Sequence, residues 1–171
     1  MRVGADTLIT IRKLQQDDKE PIRQMLLDTN VFTSDEITIA FELIDIFLDD
    51  PEQQDYDLYT AVNEQSEVAG YICVGPTPLT NGTFDLYWIA VKPLLHGQGI
   101  GKRLIQYAEH IVLQNNGRLL IAETSSQPKY ESTRMFYIKN QYAEISRIAD
   151  YYKQGDDLVV YGKYLSQSEG L

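Results

Sequence analysis

Cysteine and histidine are nearly missing from this sequence. Cys73 is the one cysteine among 171 residues, so neither an intrachain disulfide nor a cysteine-rich zinc site can form. His96 and His110 are the only histidines. They are too few for zinc without carboxylates, and no metal site is expected. No apolar run approaches the roughly 20 residues of a membrane span. Met1 to Thr10 lacks the apolar core of a secretory leader. Positive charge is scarce too: 15 Lys and Arg stand against 25 Asp and Glu, a formal net charge of −10. Such a field repels phosphate backbones, which argues against nucleic-acid binding, and it favours a cationic substrate. No repeat, low-complexity tract or dividing linker is present. The expectation is a cytoplasmic protein whose residues 1–171 form a single domain, with about two-thirds of the unfolded surface buried.

The periodicity of apolar residues supplies the order of elements. Thr7 to Leu14 alternates and predicts a strand. Asp17 or Asp18 is placed to cap a helix with Ile22, Met25 and Leu26 inward. Thr33 and Glu36 form a T-x-x-E capping box. The helix they open carries Ile37, Ala40, Phe41, Ile44, Phe47 and Leu48 at helical spacing and ends at Asp49-Asp50-Pro51. Leu58 to Val62 and Val68 to Val74 predict a hairpin across Asn63-Glu64-Gln65-Ser66. Phe84 to Val91 predicts a third strand of this group. A helix with Ile100, Leu104, Ala108, Ile111 and Val112 on one face follows, stopped at Asn116-Gly117. Leu119 to Thr124 predicts a strand and Ser132 to Asn140 a helix. Tyr142 to Tyr151 and Leu158 to Tyr164 close the chain, joined at Gly155-Asp156. The predicted order is β-α-α-β-β-β-α-β-α-β-β, an α/β fold.

The most informative stretch is His96-Gly97-Gln98-Gly99-Ile100-Gly101-Lys102, between a strand and a helix. Glycines there let backbone come close to an anion, and free N–H groups at the helix start bind phosphate. In so acidic a chain the anion must be held by local amides, with Lys92, Lys102 and Arg103 adding nearby cations. A P-loop needs G-x-x-x-x-G-K-[ST], but Arg103 follows Lys102 and no glycine lies five before Gly101. The dinucleotide fingerprint G-x-G-x-x-G fails as well, because Gly97-x-Gly99 runs on to Lys102 and Gly99-x-Gly101 to Leu104. Glu123 does fall about twenty residues on, as that fingerprint asks, but a hairpin precedes the loop.

Leu86-Tyr87-Trp88-Ile89-Ala90-Val91, four residues, then the glycine stretch resembles the coenzyme A motif of the GNAT superfamily of N-acetyltransferases, usually written Q/R-x-x-G-x-G/A after a strand ending in apolar-Ala-Val. The element order resembles the family's from Leu8 to Leu165. His96 stands where Gln or Arg is usual. Tyr130 to Tyr142 resembles the second cofactor element, N-x-x-A-x-x-F-Y followed by Gly-Phe. Phe136 and Tyr137 match its F-Y, while Tyr130, Thr133 and Gln141-Tyr142 depart from it. The resemblance implies a mixed, mostly antiparallel seven-stranded sheet flanked by four helices, with a splay between strands 4 and 5.

It also implies a chemistry. Acetyl-CoA is the co-substrate, with Ile89, Ala90, Val91, His96, Gly97, Gln98, Gly99, Ile100, Gly101 and Lys102 as its contacts. Ile89, Ala90 and Val91 pair with pantetheine, and a backbone N–H of this stretch stabilises the oxyanion. Tyr137 corresponds to the family's acid, which protonates the leaving thiolate. For the base, Asp85 and Glu123 compete. Asp85 holds the position of a glutamate that serves in some members, and Glu123 ends the fifth strand. Alternation puts Asp85, Tyr87, Ile89 and Val91 on one face. His96 reads as a loop residue, His110 as exposed and Cys73 as core. Thr124, Ser125 and Arg134 lie near the presumed thiol end, and Asp156-Asp157 reads as a turn. Of the acidic residues in the first two helices, Asp35, Glu36 and Glu42 are candidates to orient an ammonium. The expected acceptor is a small-molecule amine or amino acid, attacked directly in a ternary complex by a monomeric or homodimeric enzyme. The phrase Thr124-Ser125-Ser126 before the second element resembles a subgroup thought to act on D-alanine-like amino acids. The rival is a catalytically silent coenzyme A-binding module.

Overall fold

The computed structural model describes residues 8–166. Thr7, where the first strand is expected to begin, lies outside them. Seven strands form one sheet in the order β1-β2-β3-β4-β5-β7-β6. They are β1 (Thr10–Lys13), β2 (Asp57–Val62), β3 (Val68–Pro76), β4 (Thr83–Val91), β5 (Leu119–Ser125), β6 (Ala143–Lys153) and β7 (Asp156–Tyr164). Four α-helices are interspersed: α1 (Lys19–Asp28), α2 (Ser34–Asp49), α3 (Ile100–Gln114) and α4 (Glu131–Lys139). The sheet is mostly antiparallel, as the resemblance implies. The exception is β4 and β5, which run parallel. No described helix is long and apolar enough to cross a membrane. By contacts the chain groups into two compact units, Met1–Cys73 with Trp88–Ile105, and Val74–Tyr87 with Gln106–Leu171.

In the first unit, α1 and α2 supply the core the periodicity predicts. Ile22, Met25 and Leu26 of α1 and Ile37, Ala40, Phe41 and Ile44 of α2 are buried with Leu58, Tyr71, Cys73 and Ala90 of the strands. Thr33 caps α2 as expected: its hydroxyl accepts from Glu36 N–H at 3.2 Å, and Glu36 accepts from Thr33 N–H at 2.7 Å. Glu36 is thereby committed to the cap. The cap expected of Asp17 or Asp18 on α1 is not made. A 3₁₀ turn (Gln16–Asp18) precedes the helix, and Asp18 makes no side-chain capping bond to α1. Its carboxylate instead accepts from Arg12 at 2.6 and 2.9 Å and from Gln15 N–H at 2.8 Å. An anion only 3 % exposed is held by the cation on β1, which offers more than helical N–H groups.

In the second unit, β5 pairs antiparallel with β7 over its whole length, Leu119↔Tyr164 through Ser125↔Leu158. β7 pairs in turn with β6. Tyr142 donates to Glu109 of α3 at 3.1 Å, and Lys163 donates to the same carboxylate at 2.8 Å. β6 lies outermost, and all of its residues are exposed. It is also irregular. Its register shifts between Glu144 and Ser146 and again between Ile148 and Lys153, where residues 149–152 stand against Asp157 alone. Asp150 takes a left-handed φ of 54° there.

Candidate functional site

The glycine loop lies in the first unit. β4 ends at Val91, and a 3₁₀ turn (Pro93–Leu95) leads into it. Lys92 N–H donates to Ala69 O at 2.9 Å, which fixes the loop's entry. Gly97 and Gly99 have φ of 78° and 80°, the left-handed region that L side chains rarely adopt. A Cβ built on either would meet nothing within 4 Å, so conformation, and not crowding, selects glycine. Arg103 N–H donates to Gly99 O at 3.0 Å, which makes Gly99 the cap and leaves the N–H groups of Ile100, Gly101 and Lys102 without intrahelical acceptors. Three such N–H groups behind two left-handed glycines suit a pyrophosphate. The imidazole of His96 turns back to Val91 O at 2.9 Å. Arg103 donates to Ile9 O at 2.5 Å, so of the expected cations Lys92 and Lys102 are the ones without a side-chain partner among the described residues. A groove of about 690 Å³ beside Lys92 is lined by Arg12, Asp18, Gln24, Asp28 and Glu67 among others. Those five are already engaged, Gln24 with Asp28 and Glu67 with Asn63.

The carboxylates lie in the second unit. β4 and β5 are in register over Thr83↔Leu119, Phe84↔Leu120 and Asp85↔Ile121, and the pairing stops there. Asp85 stands opposite Ile121, and Glu123 is two residues beyond Ile121, so period-2 alternation puts Asp85 and Glu123 on one face. Burial follows the same alternation: Leu120, Ala122 and Thr124 are buried, and Glu123 between them is exposed. Partial burial of its carboxyl raises the Glu123 pKa, and the negative charge of Asp85 raises it further. Asp85 is anchored in turn. Thr77 Oγ1 donates to Asp85 Oδ2 at 2.7 Å.

Tyr137 belongs to the other face. Its ring, 4 % exposed, stacks on Tyr161 of β7 with centroids 5.5 Å apart and 25° between planes. Tyr142 and Phe136 are 5.8 and 5.6 Å away. Tyr161 pairs with Ala122, and Glu123 pairs with Val160, so Tyr161 and Glu123 point to opposite sides of the sheet. Burial raises the Tyr137 phenol well above its ordinary value, which keeps it protonated at neutral pH. The second unit thus joins Asp85 to Glu123 and holds Tyr137 across the sheet from both.

Other expected residues have structural partners. Cys73 is buried and His110 exposed, as read from the sequence. Ser125 donates to Asp156 at 2.5 Å, and Gln127 donates to the same carboxylate at 2.8 Å. Arg134 spans the carbonyls of Ser125 and Gln127 at 2.7 and 2.9 Å. Asp156-Asp157 is not merely a turn: both residues open β7, and Asp156 is buried. A pair of aspartates after glycine gives no sequence cue to that role. Sequence reasoning also missed Thr77, whose cue is the β3–β4 hairpin register.

Comparison with known proteins adds a family and a fold. The model of the acetyltransferase (GNAT) domain matches residues 54–144, just over half of the chain. No curated protein sequence matches. A GNAT-family protein of Desulfovibrio desulfuricans is 37% identical, with a TM-score of 0.87 over 92% of this chain and 99% of that one. An N-acetyltransferase from Staphylococcus aureus is 19% identical, with a TM-score of 0.69 over 94% of this chain and 100% of that one. An aminoglycoside 6'-N-acetyltransferase complexed with coenzyme A is 17% identical, with a TM-score of 0.71 over 94% and 99%. These last two share the fold.

Proposed function

The chain belongs to the GNAT acetyltransferase family, and we propose that it moves an acetyl group from acetyl-coenzyme A to the amine of a small molecule or amino acid, D-alanine-like amino acids included. The observation that carries this reading is the pair of left-handed glycines, Gly97 and Gly99, before the open N–H groups of α3. Coenzyme A bound to a relative of the same fold supports the same co-substrate. Acetyl-CoA, when bound, supplies an activated acyl carbon and a thiolate leaving group.

This chain's residues do the rest. Gly97 to Lys102 hold the pyrophosphate through backbone N–H groups, and Lys92 and Lys102 add charge. Ile89, Ala90 and Val91 carry backbone on the β4 edge for pantetheine, beyond the point where pairing with β5 ends at Asp85. One carboxylate of the Asp85–Glu123 pair takes a proton from the acceptor ammonium, which frees the lone pair for direct attack. Tyr137, on the opposite sheet face, gives its proton to the thiolate. That thiolate resembles a cysteine, with a conjugate acid of pKa about 8.5.

The test is an amine panel with acetyl-CoA, followed by free thiol release, beside thermal melting with acetyl-CoA, NAD and ATP. Amine-dependent thiol release and a melting shift with acetyl-CoA alone are expected, since a ligand that binds only the native state stabilises it. A melting shift without turnover would make the chain a silent coenzyme A-binding module. A shift with NAD and none with acetyl-CoA would sink the reading.

A further inference from the structure

The β3–β4 hairpin does more than join two strands. Thr77 N–H donates to Thr83 O at 2.9 Å, so Thr77 and Thr83 face each other and their side chains share one face. Asp85 is two residues past Thr83 on the same strand and returns to that face. Thr77 is therefore the diagonal neighbour of Asp85, a separation that side chains bridge. The 2.7 Å bond from Thr77 Oγ1 to Asp85 Oδ2 bridges it here. Thr80 closes the loop behind it, with its N–H and hydroxyl both donating to Thr77 O at 3.4 and 2.8 Å. The threonine is thus held by its backbone, and its hydroxyl fixes a carboxylate that would otherwise rotate.

That carboxylate sits where β4 and β5 stop pairing, on the face that carries Glu123. The groups facing Glu123 can be named from each side. β4 presents Asp85 and Tyr87. β7 presents Leu158, Val160 and Gly162, none of them titratable, while Tyr161 and Lys163 point to the other face. Ser146 of β6 pairs with Val160 and brings no charge. Among the residues that these strands set beside Glu123 on this face, Asp85 is the charged one, and its charge acts on the Glu123 carboxyl.

We infer that Thr77 is a positioning residue: it pins Asp85 as a fixed negative charge beside Glu123, and Glu123 is the carboxylate that takes the acceptor's proton. This rests on the acetyl-transfer reading above and divides its two candidate bases into two roles. In the step, an ammonium N–H bond breaks and its electron pair stays on nitrogen. The proton goes to a Glu123 oxygen and later to water. The nitrogen lone pair forms the bond to the thioester carbon, and sulfur departs with the C–S pair and takes the Tyr137 proton. The second nitrogen proton leaves to water as the amide forms, while water reprotonates Tyr137. Asp85, held by Thr77, is the fixed charge that raises the Glu123 carboxyl beside it, and Glu123 is the one that exchanges the proton.

The experiment reads Glu123 directly. Its side-chain carboxyl is titrated by carbon NMR in the wild type, Asp85→Asn, Thr77→Val and Thr77→Ser, and the pH dependence of kcat/KM with acetyl-CoA and a primary amine is measured on the same four proteins. Two charges about 6–8 Å apart in a medium of dielectric about 40–80 shift each other by about 0.4–1 pH unit. Asp85→Asn should lower the Glu123 midpoint by that amount. Thr77→Val, which frees the Asp85 carboxylate but keeps its charge, should lower it by a smaller part of that amount. The acidic limb of kcat/KM should move down with the midpoint. Thr77→Ser, which keeps the hydroxyl, should restore both. A Glu123 midpoint unmoved in Thr77→Val but moved in Asp85→Asn would remove Thr77 from the mechanism. A moved midpoint with an unmoved acidic limb would remove Glu123 as base. If the wild type transfers no acetyl group to any amine, the functional reading fails, and the titration still decides whether Thr77 positions Asp85.

Discussion

Replacing Tyr71 by Phe should make this protein more stable. Tyr71 is fully buried in the core beneath α1 and α2. Its hydroxyl has no hydrogen-bond partner among the described residues. A buried polar group without a partner costs about 1–3 kcal/mol. The phenylalanine ring keeps the packing and leaves a gap of one oxygen, which returns part of that gain. The net expectation is a stabilisation of about 1–2 kcal/mol. For a chain of this length that is a rise in melting temperature of about 2–8 °C. Urea unfolding followed by circular dichroism reads it, with an unchanged m-value as the control for compactness. The phenol supplies a second signature. Burial, and then the Cys73 thiol, raise its pKa well above the ordinary tyrosine value. A group whose folded pKa is raised contributes stability that is complete below the unfolded pKa, about 10, and is lost as pH rises beyond it, because the unfolded chain ionises first. The advantage of Tyr71→Phe should therefore widen above pH about 10. A variant that is destabilised by about 1 kcal/mol or more, with no widening in alkali, would refute the reasoning and show that the hydroxyl is satisfied.

Three further outcomes are expected. Asp18→Asn should cost about 2–4 kcal/mol, because it breaks a buried carboxylate's two contacts with Arg12. Burial pushes the Asp18 carboxyl up, but the bonds from Arg12 and Gln15 outweigh it and the net shift is down. The wild type should thus lose this stability as pH falls below about 4, while Asp18→Asn stays flat there in acid titrations of unfolding. Gly99→Val should raise the Michaelis constant for acetyl-CoA while the fold survives, since a β-branched residue at φ 80° costs about 1–3 kcal/mol. An unchanged constant in a folded variant would move the phosphate site elsewhere. Tyr137→Phe should lower turnover by roughly 10²–10⁴-fold with acetyl-CoA binding intact. Turnover within about threefold of wild type, far short of that range, would leave Tyr137 as a packing residue of the Tyr142–Tyr161 cluster.

The fold was legible where burial sets a period. The stripes of α1 and α2 and the Thr33–Glu36 box reappear in place, because each depends on residues within one or two helical turns. The Gly97–Gly101 loop was legible for the same reason, since left-handed glycines before a helix are a local signature. What escaped depends on partners distant in sequence. Asp18 looks like a helix cap until Arg12 of β1 is set beside it. Asp156 looks like a turn residue until Ser125 and Gln127 approach it from 31 and 29 positions away. Thr77 carries no signal of its own, and only the hairpin register shows which carboxylate it meets. For the candidate bases, the sequence offered Asp85 and Glu123 as rivals. Strand pairing places them on one face and makes them neighbours, and that information lies in neither strand alone.

The irregular register of β6 has a consequence for how this protein behaves at high concentration. An outermost strand bearing Ile145, Ile148, Tyr151 and Tyr152, each about half exposed, would ordinarily template the addition of another chain, strand upon strand, toward insoluble fibres. A growing fibril needs an unbroken row of amides at even spacing. β6 cannot offer one: the extra residue at Ile145 and the loop-out opposite Asp157 interrupt the row twice. The N–H of Asp150 is turned inward to the Asp157 carboxylate at 3.0 Å, where an incoming strand cannot use it. The aromatic and aliphatic side chains of this margin can thus stay exposed to water, because the backbone beneath them is an unusable template.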